Sequence, residues 1–122
     1  MAVVYVVQKQ MRTDPRSGDL VDRFDLSQAA QYGELTYLLS PRAKPYNAGG
    51  IITELYEKLA TFGDSDYLLV VGNQTLVGLA MSVCADVNDG MVNILQWSGR
   101  DQAYVPIRAD INGEYDDSDE GS

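Results

Sequence analysis

The run Tyr67-Leu-Leu-Val-Val71 stops at Gly72-Asn73 and passes directly into an apolar stretch from Leu76 to Val87. The first part reads as a short strand, and Asn73 as the N-cap of a helix over about 74–87, since an asparagine side-chain oxygen can accept from the unpaired amides of a first helical turn. A strand that turns straight into a helix is a building unit of α/β folds. The corner between them is where such folds often bind anions.

The rest of the chain continues that pattern. Val3-Val-Tyr-Val-Val7 is a β-branched and aromatic run without polar alternation, the signature of a strand buried on both faces. Residues 8–23 turn polar, with Pro15 and Ser17-Gly18 marking them as loop. Asp25-Leu-Ser-Gln28 resembles a capping-box opening and Gly33 a stop, which predicts a short helix over about 26–32. Leu35 to Leu39 is the second strand. A basic loop broken by Pro41 and Pro45 then leads through Gly49-Gly50 into an amphipathic helix over 50–62. Its apolar row is Ile52, Leu55, Leu59 and Phe62, with Glu54 and Lys58 paired four apart on a more polar side.

The helix at 74–87 is apolar over most of its circumference and holds small residues, among them Gly78, which reads as allowing close packing of helix on sheet. Asn88-Asp-Gly90 is a turn and Met91 to Trp97 a fourth strand. Residues 98–102 form a hairpin loop returning into a fifth strand, Ala103–Ile111. Pro106 cannot donate to a ladder, so the fifth strand belongs at the sheet edge. The order β, short α, β, α, β, α, β, β predicts a small three-layer α/β sandwich with a mostly parallel five-stranded sheet and a C-terminal antiparallel hairpin.

Residues 1–111 read as a single α/β domain, and 112–122 as a disordered acidic tail. Net charge is −9, but six acids and no base fall from Asp110 onward, leaving residues 1–109 with nine bases against twelve acids. A near-neutral body with a repulsive tail argues against duplex nucleic acid, which needs clustered Lys and Arg. The N-terminus lacks the features of a secretory signal, and no segment approaches a membrane span, so a cytoplasmic protein is expected.

Absent residue types remove whole chemistries. Without histidine there are no Ser-His or Cys-His nucleophilic pairs and no histidine metal sites. The lone Cys84 cannot build a thiolate zinc site or an internal disulfide, and in an apolar stretch it reads as a buried structural thiol. Asp64 and Asp66 read as turn residues, and Asp86-Val-Asn-Asp-Gly90 departs from a calcium loop by its early glycine and missing glutamate. No catalytic residue, metal or cofactor is expected.

If the first three strands run parallel, the loops 8–24, 40–49 and 72–74 open at one edge, where open α/β sheets bind ligands. Lys9, Arg12, Arg16, Arg23, Arg42 and Lys44 lie in two of these loops and a helix N-terminus in the third. Gly72, Asn73, Gln74, Arg42 and Lys44 are therefore candidate binding residues for a phosphate, a nucleotide or an acidic partner segment. The alternative is that Asp14, Asp19 and Asp22 neutralise the first loop and its cations are simply solvated. Among nine tyrosines and tryptophans, Tyr104 and Trp97, together with Met91, are candidates for a protein-binding surface, since such residues are enriched at interfaces.

From Phe62 to Asp110, the pattern Phe-Gly-Asp-x-Asp-Tyr-Leu-Leu-Val-Val-Gly-Asn, then Gly78, Ala80, Ala85-Asp86, Gly90, Leu95, Trp97 and Tyr104-x-Pro106, resembles small uncharacterised proteins encoded by tailed bacteriophages. The resemblance implies a phage origin and brings no catalytic residue with it. The first reading is then a non-enzymatic phage accessory protein that binds a host or phage protein in the cytoplasm of the infected cell, with a homodimer through the sheet edge or helix 74–87 as a further partnership. A second is a small α/β protein binding a phosphate-bearing ligand or nucleotide at the C-terminal edge of the sheet. A third, resting on the resemblance alone, is a minor virion component.

Overall fold

The computed structural model describes residues 2–113. Strands β1 (Val3–Gln8), β4 (Glu34–Leu39), β5 (Tyr67–Leu69), β6 (Met91–Ser98) and β7 (Ala103–Asp110) form one sheet in the order β4-β1-β5-β6-β7. The first four strands of that order run parallel, and β6 and β7 form an antiparallel hairpin. A separate hairpin pairs β2 (Met11–Thr13) with β3 (Leu20–Asp22). The helices are α1 (Ala48–Lys58) and α2 (Gln74–Val87).

Alternation along the strands divides the sheet into two faces. Tyr5, Val7, Leu38, Leu68, Val92 and Ile94 pack against Ile51, Leu55 and Leu59 of the α1 segment and Leu76, Ala80, Val83 and Cys84 of α2. The opposite face, Val4, Val6, Leu69, Leu95 and Tyr104, meets Ala29 from a 3₁₀ turn at Ser27–Tyr32. Each fully buried leucine or valine here contributes roughly 1.5–3 kcal/mol. The α/β architecture and terminal hairpin are as expected, but the layers are unequal: both helices lie on one face and a single turn of six residues covers the other. Much of that second face is therefore left open towards β6 and β7.

Several local expectations change. The loop at 8–23 contains the β2–β3 hairpin, because Asp14 and Asp19 close its turn (Asp14 N–H to Asp19 C=O, 2.8 Å), with Gly18 at φ +75. The short helix at 26–32 is 3₁₀, with Ala29 N–H bonded to the Leu26 carbonyl, since Ser27 N–H is drawn back to the Asp25 carboxylate. Gly33 is set by a close approach: a Cβ there would lie 2.6 Å from the Ala2 carbonyl oxygen. Helix α1 starts two residues earlier than expected and ends at Lys58, and its inward row begins at Ile51 instead of Ile52, one i, i+4, i+8 ridge with Leu55 and Leu59. Gly78 faces open space, not the sheet. Helix α2 holds its expected bounds, and Asn73 caps it through Thr75 N–H at 2.9 Å and Leu76 N–H at 3.4 Å. The acidic segment expected beyond residue 113 lies outside the described residues.

At the N-terminal edge of the strands, Asp66 is a clamp. Its carboxylate accepts from Val3 N–H at 2.9 Å and Gly63 N–H at 3.0 Å, and its carbonyl accepts from Asn93 Nδ2. This is the turn role expected of it. At the other side of the sheet, Leu95 directs its carbonyl to the N–H of Val70, the residue after β5, so its antiparallel partner Pro106 belongs to a pair that exchanges no hydrogen bonds. The proline nitrogen thus faces the open edge of β7, where a ring costs the ladder nothing.

Candidate functional site

The chain enters the sheet at β1, crosses out to β4, then returns over β1 to β5, so the winding reverses at the gap between β1 and β5. Ligand crevices of open α/β sheets form at the carboxyl ends of the strands beside such a reversal. Here the loops after β1, β4, β5 and β6 all open on that side. Gln8, at the end of β1, ties three of them together. Its Nε2 donates to the Ser40 and Ala43 carbonyls at 3.1 and 3.2 Å, and its Oε1 accepts from Asn73 N–H at 3.0 Å and Gln10 Nε2 at 3.1 Å. Only 4% of Gln8 is exposed. Gly72 at φ +133 is what admits it, because a Cβ there would sit 2.6 Å from the Gln8 Cβ.

Two concavities flank this hub. One is a polar crevice of about 440 Å³ lined by Gln8, Gln10, Arg23, Pro41, Ala43, Lys44, Pro45, Tyr46, Gly72 and Asn73. Gly72, Asn73 and Lys44 are brought together there, whereas Arg42 and Gln74 are not in its wall. The corner amides are already engaged: Asn73 N–H by Gln8, and Thr75 and Leu76 N–H by the Asn73 side chain. The free positive charge of this wall is that of the Lys44 ammonium and the Arg23 guanidinium.

The second concavity, about 450 Å³, lies on the face that the helices leave uncovered. Its wall combines Leu69, Val70 and Val71 from the β5 segment, Trp97 and Tyr104 from the hairpin, Arg23, Phe24, Asp25 and Leu26 from the segment before the 3₁₀ turn, and Gln28 from the turn itself. Trp97 and Tyr104 are register partners, and their rings meet edge to face at 5.1 Å. Trp97 is 43% and Phe24 44% exposed, and the Arg23 guanidinium lies 5.2 Å from the Phe24 ring centroid. Burial and the nearby Asp25 carboxylate raise the Tyr104 pKa, while hydrogen bonds from Ser27 lower that of Asp25. Met91 stands at the other end of β6 and takes no part in this wall.

Sequence reading located the edge and put Arg23 on it, but missed Gln8, Phe24 and Leu26. The available signal was weak: a glutamine abutting four buried strand residues, and two large apolar residues, Phe24 and Leu26, in a segment otherwise polar. Arg100, in the β6–β7 turn, also joins the six cations already assigned to this edge. No carboxylate of the described residues lies within ion-pair distance of any of these seven; the ion pair found is Glu54–Lys58, 2.6 Å, on α1. Among the described residues no three His, Cys, Asp or Glu side chains group to hold a metal ion, and no helix is long and apolar enough to cross a membrane. Burial pushes the Cys84 thiol up to about 12, in keeping with its place on the buried side of α2.

Strand order, helix placement and the crevices at the reversal point define a small doubly wound α/β protein with an aromatic groove on its thinly covered face. The chain belongs to the Phage Pam3 gp32-like protein family, whose model matches residues 2–111. That match extends the phage relationship, carried in the sequence by residues 62–110, over the β2–β3 hairpin and the whole sheet. No curated protein and no solved structure matches the chain.

Proposed function

We propose that this phage protein is a non-enzymatic accessory protein that works by binding another protein, of host or phage, in the cytoplasm of the infected cell, and that the aromatic groove is its contact surface. The carrying observation is the half-exposed pair Trp97 and Phe24 on either side of an apolar cavity, on the face that lacks a helix. Concave apolar sites rimmed by aromatic and arginine side chains have the composition of interface hot spots.

The test is affinity capture of the tagged chain from infected-cell lysate, read by mass spectrometry, beside a Phe24→Ala/Trp97→Ala variant and an Arg42→Ala/Lys44→Ala variant, each checked for folding by circular dichroism. One protein should be enriched by the wild type and by the Arg42/Lys44 variant and lost with the groove variant. Removing a hot-spot pair costs at least about 2 kcal/mol, roughly thirtyfold in affinity. Undiminished capture by the groove variant refutes the reading.

A second reading, a phosphate-bearing ligand or nucleotide, is favoured by the convergence of Lys44, Arg23 and Tyr46 on the polar crevice beside the N-terminus of α2. It predicts a rise in melting temperature with inorganic phosphate or nucleotides that Lys44→Ala abolishes. Detection of the protein in purified particles would instead favour a virion component.

A further inference from the structure

We infer that the segment fitting the aromatic groove is acidic with an aromatic anchor, and that residues 114–122 of a second copy of this chain are such an occupant. The inference rests on the groove being the contact surface proposed above.

Charge is segregated along the strand axis. At the carboxyl edge stand seven cations against five carboxylates, Asp14, Asp19, Asp22, Asp25 and Asp101, while the other described residues hold two cations, Lys58 and Arg108, against eight carboxylates. The edge carboxylates are largely committed to their own turns: Asp14 accepts from Arg16 N–H, Asp25 from Ser27 N–H and Asp101 from the Ser98 hydroxyl. Among the described residues these cations have no ion-pair partner, Lys9 and Arg23 meeting only the rings of Tyr37 and Phe24, so an otherwise acidic protein presents its positive charge beside the groove, with Arg23 in its wall. A ligand complementary to this edge is anionic, with an aromatic group to fill the cavity beside Trp97.

The chain contains such a segment. Glu114-Tyr-Asp-Asp-Ser-Asp-Glu120 places five carboxylates around Tyr115. Reach decides that it acts between copies. Strand β7 ends at Asp110, opposite Met91, whereas the Trp97–Tyr104 pair lies six residues further along β6, about 20 Å away. Gly113 stays beside Asp110 (Gly113 N–H to Asp110 C=O, 3.4 Å), and Tyr115 is two residues beyond it, a backbone span of roughly 7 Å at most to which the side chain adds about 6 Å. A tyrosine tethered there falls short of its own groove but is free to meet that of a neighbour. The resulting contact is head-to-tail: the same two patches, one on each copy, joined in series.

The experiment uses the full chain in sedimentation velocity over a concentration series, between about 10 mM salt, where charges act over roughly 30 Å, and about 1 M, where they act over roughly 3 Å. Self-association should be present at low salt and lost at high salt. It should also be lost in a full-length variant with Asp116, Asp117 and Asp119 changed to Asn and Glu120 to Gln, and in Arg23→Glu/Arg100→Glu. A synthetic peptide of residues 112–122, titrated into the full chain, should shift the emission of Trp97, the single tryptophan, in a saturable and salt-sensitive way, and the same peptide with Tyr115→Ala should not. A monomer under all conditions, or association that survives both variants, overturns the inference, as does a Trp97 response to the peptide without self-association. If lysate capture still depends on Phe24 and Trp97 in that event, the groove reading stands alone. If neither assay responds, both readings fall.

Discussion

Gln8 bridges three loops of the carboxyl edge, and its replacement should be felt by all of them. Gln8→Ala removes four side-chain hydrogen bonds of 3.0–3.2 Å and leaves Asn73 N–H and two carbonyls to find other partners. Net hydrogen-bond contributions of about 1 kcal/mol, reduced because these loops are near water, together with the lost methylene burial, give about 3 kcal/mol. For a chain of this size the urea midpoint should fall by about 2 M, followed by Trp97 emission and circular dichroism in parallel. Gln8→Glu is a sharper probe. One carboxyl oxygen keeps the Asn73 contact while the other confronts the Ser40 and Ala43 carbonyls, so the introduced group has its pKa raised in the folded state above the usual value of about 4.3. An acid whose folded pKa is raised leaves stability intact below the unfolded pKa and erodes it as pH rises through the folded pKa. The variant should thus approach wild type near pH 4 and fall behind it towards neutrality. A gap that is flat between pH 4 and 7.5, or a Gln8→Ala cost below about 0.5 kcal/mol, would refute the bridging role.

Asp66→Ala should lower stability by about 2–4 kcal/mol, since it strips the acceptor from Val3 and Gly63 N–H, and an unchanged melting temperature would show that water replaces the clamp fully. Cys84, with its thiol pushed up to about 12, should resist alkylation in the native protein at pH 8 and react at the rate of global unfolding; prompt labelling counts against its burial. The raised pKa of Tyr104 means that stability is full below the ordinary tyrosine value of about 10 and is lost as pH climbs through the raised one. Phenolate absorbance and Trp97 quenching should share a late alkaline phase that Tyr104→Phe removes, and persistence of that phase would assign it to another tyrosine.

What the sequence disclosed was set by local signals. Helix α2 could be bounded to the residue because Asn73 caps it and Asn88-Asp-Gly90 stops it, and β1 could be read as an interior strand because five consecutive β-favouring residues leave no solvent face. Pro106 gave the sheet edge for a reason internal to its own ring. The β2–β3 hairpin was hidden because three-residue strands do not establish an alternation, and its turn residues look the same in a loop. Ile51 and Ile52 are adjacent, so which of them faces the sheet depends on where α1 begins, and neither cap marks that point in the sequence. The aromatic groove was only half legible. Trp97 and Tyr104 could be proposed for a protein-binding surface, of which only Trp97 is exposed, and their meeting with Phe24 depends on the 3₁₀ turn crossing the bare face of the sheet, a long-range event with no local code.

The outward nitrogen of Pro106 bears on what happens when many copies of the chain crowd together. An eight-residue edge is long enough to template another strand, and a strand laid along it would be the first layer of a growing cross-β stack. Any such strand meets a position, midway along β7, where one of its carbonyls finds no donor, and sliding the register moves the gap without closing it. An unpaired carbonyl costs on the order of 1–3 kcal/mol, and the penalty falls at the nucleating contact, where a stack is least able to absorb it. One imino acid therefore keeps an open edge from becoming a seed, and leaves contacts between copies to side chains instead of backbone.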